Sequence, residues 1–192
     1  MRKKTGIYGG TFNPIHNGHV DIGRHILGNT DIDEVWYVVS PQNPFKINQE
    51  LLEDRLRFDM TKKALYRKAG LLAVDFELRM PKPSYMWNTL QALSKRFSKR
   101  DFVLIIGADN WQRFGEWYNA REILDNYELC IYPRRGYPVD EKSLPEGVRM
   151  IKMDLIDISS TEIRQLVKDG ERFEHLVPAP VADTIKKLKL YR

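Results

Sequence analysis

Apolar residues fall in short blocks along the chain, and blocks that suit buried strands alternate with stretches of helical period. Residues 5–8 and 34–39, the latter with Val35-Trp36-Tyr37-Val38-Val39, read as buried strands, and residues 18–27 between them as a helix. Residues 51–66 carry Leu52, Leu56, Met60 and Ala64 on one stripe with charge elsewhere, which predicts an amphipathic helix. A third strand is expected over 71–76. After the breaker cluster Pro81-Lys82-Pro83-Ser84 the pattern predicts a helix over 85–97 and a strand at Phe102-Val103-Leu104-Ile105-Ile106. The remainder reads as a helix over 120–126, strands over 128–132 and 149–153, and helices over 160–168 and 181–188.

Strands alternating with helices at short intervals pair in parallel through right-handed crossovers. The expected fold class is therefore α/β, a doubly wound, mostly parallel sheet with helices on both faces. A single domain over residues 1–192 is expected, with the C-terminal helices from about residue 159 packed on the sheet. Ligands in such folds sit beyond the carboxyl ends of the strands. Three loops should converge there: 9–19 after the first strand, 40–46 after the second and 107–109 after the fourth. Residues 136–147, punctuated by Pro and Gly, read as a mobile surface connection.

The first loop carries the densest chemistry, Gly9-Gly10-Thr11-Phe12-Asn13-Pro14-Ile15-His16-Asn17-Gly18-His19. Its glycines let the backbone approach a ligand, Pro14 fixes a bend, and a helix start near Asn17 puts His16 and His19 on one face. Imidazole nitrogens and amides held there can donate to phosphate oxygens as charge builds. Near the C-terminus, Ile158-Ser159-Ser160-Thr161-Glu162-Ile163-Arg164 fits a capping box of Ser159 with Glu162, ahead of an apolar face of Ile163, Leu166 and Val167. The same hydroxyls, open amides and guanidinium make an anion site, and capping and phosphate binding can coexist.

The formal charge of +5 suits anionic ligands without distinguishing a mononucleotide from a nucleic acid or an acidic surface. The densest basic groups, Arg2-Lys3-Lys4, Lys95-Arg96 with Lys99-Arg100, and Lys186-Lys187 with Lys189, read as solvated faces. The single cysteine, Cys130, excludes an intramolecular disulfide, and no cysteine and histidine spacing suits zinc. The longest clearly apolar run, 102–106, is too short for a bilayer, and the basic N-terminus lacks the apolar stretch of a secretion signal. A cytoplasmic protein with no membrane partner is expected.

Together the two motifs resemble the paired signatures of the (H/T)xGH nucleotidyltransferases, a Rossmann-like superfamily that transfers nucleotides from triphosphates. Within it the chain is similar over nearly its whole length to the bacterial nicotinate mononucleotide adenylyltransferases. The similarity includes Ser40-Pro41-Gln42-Asn43-Pro44-Phe45-Lys46, Pro83-Ser84-Tyr85 leading to Thr89-Leu90, and Ile106-Gly107-Ala108-Asp109-Asn110 running to Glu116-Trp117-Tyr118. It also includes Tyr132-Pro133-Arg134-Arg135-Gly136-Tyr137-Pro138 and Val177-Pro178 with Pro180-Val181. Three positions depart from the family pattern: Met86 stands where threonine is common, Asn88 where aspartate is common, and Asn13 replaces the usual aspartate.

The resemblance implies adenylyl transfer from ATP to nicotinate mononucleotide, giving nicotinate adenine dinucleotide and pyrophosphate. His16 and His19 would hold the α-phosphate, Lys46 would reach the phosphates from the second loop, and Arg164 with Ser159, Ser160 and Thr161 would grip the departing pyrophosphate. Gly9, Gly10, Thr11, Phe12, Gly107, Asp109 and Arg134 would complete the ATP site, with Asp109 on the ribose hydroxyls. Tyr85, Met86, Thr89, Trp117 and Tyr118 would form the pyridine pocket, with Trp117 stacked on the ring and main-chain amides near Met86 and Tyr118 reading the carboxylate. Magnesium (Mg2+) is expected to ride on substrate phosphates with no protein ligand. The resemblance implies no nucleic-acid partner and leaves room for a homo-oligomer. Competing readings are a related transferase acting on a pantetheine phosphate, and a non-catalytic nucleotide sensor or nucleic-acid binder.

Overall fold

The computed structural model describes residues 2–41 and 51–192. Six strands, β1 (Lys3–Gly10), β2 (Glu34–Val39), β3 (Leu71–Val74), β4 (Arg100–Gly107), β5 (Glu128–Tyr132) and β6 (Val148–Met150), form an all-parallel sheet in the order β3-β2-β1-β4-β5-β6. The helices are α1 (Asn17–Asn29), α2 (Asp54–Leu65), α3 (Met86–Arg96), α4 (Ala108–Trp111), α5 (Ala120–Asn126), α6 (Ser160–Asp169) and α7 (Ala179–Lys187). Strand order reverses between β1 and β4, and the divergence of the two halves opens a crevice beyond the carboxyl ends of these strands.

Successive residues of a strand point to opposite faces, which sorts the side chains into two cores. Tyr8, Val35, Tyr37, Val39, Val103, Ile105 and Cys130 pack with residues of α1, α2, α6 and α7. Ile7, Trp36, Val38, Leu104, Ile106, Leu129 and Ile131 pack with residues of α3, α4 and α5. Helices on both faces are the reason all of β2 is buried and reads as one apolar run. The doubly wound α/β expectation is therefore correct.

Several boundaries differ from the sequence pattern. The helix expected over 51–66 begins at Asp54, and its buried side is Arg57, Phe58, Met60, Thr61, Ala64 and Leu65, while Leu52 and Leu56 are only half-buried. Arg57 rotates the stripe because its fully buried guanidinium is matched donor by donor. Nε donates to Leu52 O at 2.9 Å, Nη1 to the carbonyls of Thr11 and Ser40, and Nη2 to Pro41 O at 3.4 Å and Asp54 Oδ1 at 2.6 Å. β3 stops at Val74, before the 3-10 turn Glu77–Arg79. Residues 108–117, to which the pattern assigned no element, hold α4 and the 3-10 turn Phe114–Glu116. The last strand, expected over 149–153, is Val148–Met150, and the chain then runs irregularly beside α1, with the His25 ring at 2.8 Å from Lys152 O.

α1 lies close to the sheet because Gly23 faces Tyr37, whose hydroxyl donates to His19 O at 2.8 Å. A Cβ at Gly23 would overlap that hydroxyl. Gly23→Ala is expected to cost about 1–3 kcal/mol of stability in denaturant unfolding, and less in a Tyr37→Phe background where the overlapping atom is gone. Equal costs in the two backgrounds would show that the overlap is not the cause.

Candidate active site

A cleft of about 580 Å³ lies at this switch point, within the size range of small-molecule sites. Its walls bring together Gly9 and Gly10 at the end of β1 with Thr11, Phe12, His16 and His19 beyond it, Ser40 after β2, and Gly107 at the end of β4 with Asp109 beyond it. Arg134 after β5, Ser159, Ser160, Thr161 and Arg164 at the start of α6, and Tyr85, Met86, Trp117 and Tyr118 at the other end complete it. The expected convergence of the loops holds as far as they are described. Lys46 lies outside the described residues.

α1 opens with a reciprocal cap. His16 Nδ1 accepts from the His19 amide at 3.3 Å, and His19 Nδ1 accepts from the His16 amide at 3.2 Å. A neutral imidazole accepting at Nδ1 carries its proton on Nε2, so these bonds select the tautomer that leaves Nε2–H as a donor on each ring. The rings stack with centroids 3.6 Å apart, and Phe12 meets His19 edge-on at 5.1 Å. Burial, aided by the Arg134 charge, lowers the His16 pKa to about 3. His16 is thus neutral near pH 7.

The second motif is fastened to the first. Ser160 Oγ donates to Pro14 O at 2.8 Å, and Arg164 Nη1 donates to Asn13 O at 2.8 Å, while Arg164 Nη2 reaches Thr161 Oγ1 at 3.2 Å. Ser159 Oγ accepts from the Glu162 amide at 3.1 Å, the expected half of a capping box. Asn13 itself is buried, and its Oδ1 accepts from Tyr191 Oη at 3.0 Å and the Leu52 amide at 3.4 Å. An uncharged amide suits that buried position, where a carboxylate would carry a desolvation cost.

Arg134 Nε stands 3.6 Å from Asp109 Oδ1, and that oxygen is buried with no hydrogen-bond partner among the described residues. Asp109 lines the cleft, with this oxygen turned back against Gly107. Arg135 turns away to pair with Asp157 at 2.9 Å. At the other end Trp117 is half-buried, with one side against Phe114 at 5.2 Å, and the exposed Tyr118 meets Tyr85 at 5.0 Å. The N-cap of α3, Tyr85, makes no side-chain cap, and Met86 lies over Gly9. Asn88 is exposed and outside the cleft wall.

Thr89 is a correction. It is fully buried behind the wall, where its hydroxyl donates to Glu77 Oε1 at 2.8 Å, and Glu77 itself lines the cleft. Ser84 Oγ donates to Glu77 Oε2 at 2.9 Å and lies 3.2 Å from Ser40 Oγ. Burial pushes the Glu77 carboxyl upward, opposed by the hydroxyls of Thr89, Ser84 and Ser40. The sequence pattern missed Glu77 and Arg57. The available signal was a charged residue flanked by apolar neighbours in Phe76-Glu77-Leu78 and Leu56-Arg57-Phe58.

The described residues hold no group of three or more His, Cys, Asp or Glu placed to bind a metal ion. No helix among them is long and apolar enough to cross a membrane.

Unfolded His16 titrates near 6.5 and folded His16 near 3, so the unfolded chain takes the proton first and this group's stabilisation is lost as pH falls through that window. The slope is at most about 1.4 kcal/mol per pH unit. His16→Asn, which keeps a cap acceptor, is expected to flatten the fall of Tm between about pH 6.5 and pH 5. Parallel curves for variant and parent would contradict a buried neutral His16.

The profile of the cytidylyltransferase-like family matches residues 7–166. A protein of Bacteroides thetaiotaomicron named probable nicotinate-nucleotide adenylyltransferase is 41% identical over 96% of this chain and 91% of its own length. One of Cytophaga hutchinsonii with the same name is 44% identical over 98% of each chain. The fold matches that of Plasmodium falciparum nicotinic acid mononucleotide adenylyltransferase solved with NaAD, with a TM-score of 0.84 at 20% identity over 98% of this chain and 97% of that one. By these relatives, and by the two motifs that meet in its cleft, the chain belongs to the nicotinate-nucleotide adenylyltransferase family.

Proposed function

We propose that the protein transfers the adenylyl group of ATP to nicotinate mononucleotide, releasing pyrophosphate and forming nicotinate adenine dinucleotide. The observation that carries this reading is the fastening of the Arg164 helix to the His16–His19 loop, which puts a permanent cation and two neutral N–H donors on one cleft.

The 5′-phosphate of nicotinate mononucleotide is already anionic near neutral pH, so it attacks the α-phosphorus in line without a protein nucleophile. Catalysis is then positioning and charge stabilisation. The Nε2–H groups of His16 and His19 hold the α-phosphate oxygens, with the amides of Gly10, Thr11 and Phe12 beside them. Arg164, Thr161 and the first amides of α6 receive the pyrophosphate as its charge grows. The Asp109 carboxylate accepts from a ribose hydroxyl, and Arg134 balances it. Trp117 offers an indole to the electron-poor pyridine ring. The open amides at the start of α3, beside Met86, suit a carboxylate better than a carboxamide, which favours the acid over nicotinamide mononucleotide. The phosphate side of the cleft presents the N–H donors of His16, His19 and Arg164, which suit phosphate oxygens rather than a cation, so magnesium is assigned to the substrate as the ATP complex.

A pyrophosphate-release assay with ATP and each of nicotinate mononucleotide, nicotinamide mononucleotide and phosphopantetheine tests the reading. Turnover with the first is expected to exceed the others, and turnover confined to phosphopantetheine would replace it. His19→Ala should lower kcat by about two to three powers of ten, as for loss of one preorganised oxyanion donor. Near-normal turnover would remove that role. Trp117→Ala should raise KM for the pyridine nucleotide about fivefold, the equivalent of roughly 1 kcal/mol of stacking, with KM for ATP little changed. Equal changes for both substrates would mark a structural tryptophan.

A further inference from the structure

We propose that Arg57 is a positioning residue for adenylyl transfer. From behind the cleft, its guanidinium holds the main chain after β1 against the end of β2 and so keeps the amides of the phosphate-binding loop turned inward. The inference rests on the proposed reaction for its kinetic readout.

Arg57 does not line the cleft, and it is fully buried on α2. Its Nη1 bridges the carbonyls of Thr11 and Ser40, the residues that leave β1 and β2, and the Ser40 amide in turn donates to Gly10 O at 2.9 Å. The two strand exits are thereby tied together by one main-chain bond and by the Arg57 guanidinium behind it. A trans peptide is planar, with its C=O and N–H on opposite sides. Drawing the Thr11 carbonyl back to Arg57 therefore turns the Phe12 N–H the other way, toward the cleft that Thr11 and Phe12 line.

Phe12 also needs an outside hold. Its φ is +46°, in the left-handed region that a residue with a side chain rarely adopts. Its ring is the one packed edge-on against His19, so a shift of Thr11 and Phe12 moves the support of a catalytic imidazole. Asp54, which takes Arg57 Nη2 at 2.6 Å, and Leu52 O, which takes Nε at 2.9 Å, set the plane of the fork. Lysine would keep the charge in this place, yet its one nitrogen cannot meet the Thr11 and Ser40 carbonyls and also replace the Nε and Nη2 bonds to Leu52 O and Asp54 that fix the fork.

Arg57→Lys is the test, read by steady-state kinetics, calorimetric titration with a non-hydrolysable ATP analogue, and circular dichroism. Expected is a folded protein whose kcat is lower by about 10- to 100-fold, as for a small misplacement of reacting groups. Affinity for the analogue and KM for ATP should weaken about fivefold while KM for nicotinate mononucleotide stays within about twofold. A variant with lowered Tm but parental kcat and ATP affinity would make Arg57 structural only and overturn the proposal. Should Arg57→Lys fail to fold, Asp54→Asn, which loosens the fork from outside the cleft, is expected to change the same two quantities in the same direction, and no change in either would overturn it. The parent run beside it separates the two ideas. If the parent transfers adenylate to some other acceptor, the substrate reading fails, while the ratio of analogue affinities still decides the role of Arg57.

Discussion

Everything in the cleft depends on two main-chain carbonyls. Asn13 O and Pro14 O belong to a loop between β1 and α1, where neither sheet nor helix supplies them with donors. Arg164 and Ser160, which lie 151 and 146 residues further along, do so. A carbonyl buried without a donor would carry a large penalty, so these bonds fix the distance between the histidine pair and the N-terminus of α6 more firmly than apolar contact could. Apolar contacts tolerate sliding, whereas hydrogen bonds of 2.8 Å do not. The walls of the cleft are therefore joined by the fold's own hydrogen bonds.

The same need recurs around the rim. At the carboxyl ends of parallel strands the ladder stops, and main-chain groups must find other partners. Arg57 takes carbonyls of Thr11 and Ser40, while Glu77 collects the hydroxyls of Ser84 and Thr89, and Asn13 accepts from Tyr191 and Leu52. Each of these side chains is buried and matched, which makes the rim rigid. Against that background Asp109 Oδ1 is the exception, buried without a hydrogen bond among the described residues and held only by the Arg134 charge 3.6 Å away.

The parts of this arrangement that sequence revealed are those carried by period and by short-range chemistry. β2, β5 and α5 occur at the residues their patterns mark, because buried strands and amphipathic turns leave regular traces. The capping role of Ser159 was visible for the same reason. What stayed hidden was long-range polar pairing. Arg57 looked like a surface charge because nothing local shows that five acceptors wait for it, and the apolar stripe of α2 was consequently drawn one residue out of phase. Thr89 is placed on the wall only by the family resemblance, whereas its hydroxyl turns inward to Glu77, twelve residues earlier. The short helices between Ala108 and Glu116 hold too few residues for any period to register.

The charge pattern of the cleft bears on how it works. A charged histidine pair would bind the triphosphate tightly before reaction, and interactions equal in ground and transition states do not raise kcat. Burial and the Arg134 charge instead keep His16 neutral, and the reciprocal cap leaves Nε2–H donors whose bonds, on the proposed reaction, strengthen as charge gathers on the α-phosphate oxygens. The permanent positive charge of Arg164 sits at the helix start, where on the proposed reaction the pyrophosphate departs. That division places the stronger attraction on the leaving group, whose charge increases most as the bond breaks, and the weaker on the phosphate that stays with the product. An ATP site with these two arrangements exchanged would hold its adenylyl product more tightly and gain less in the transition state.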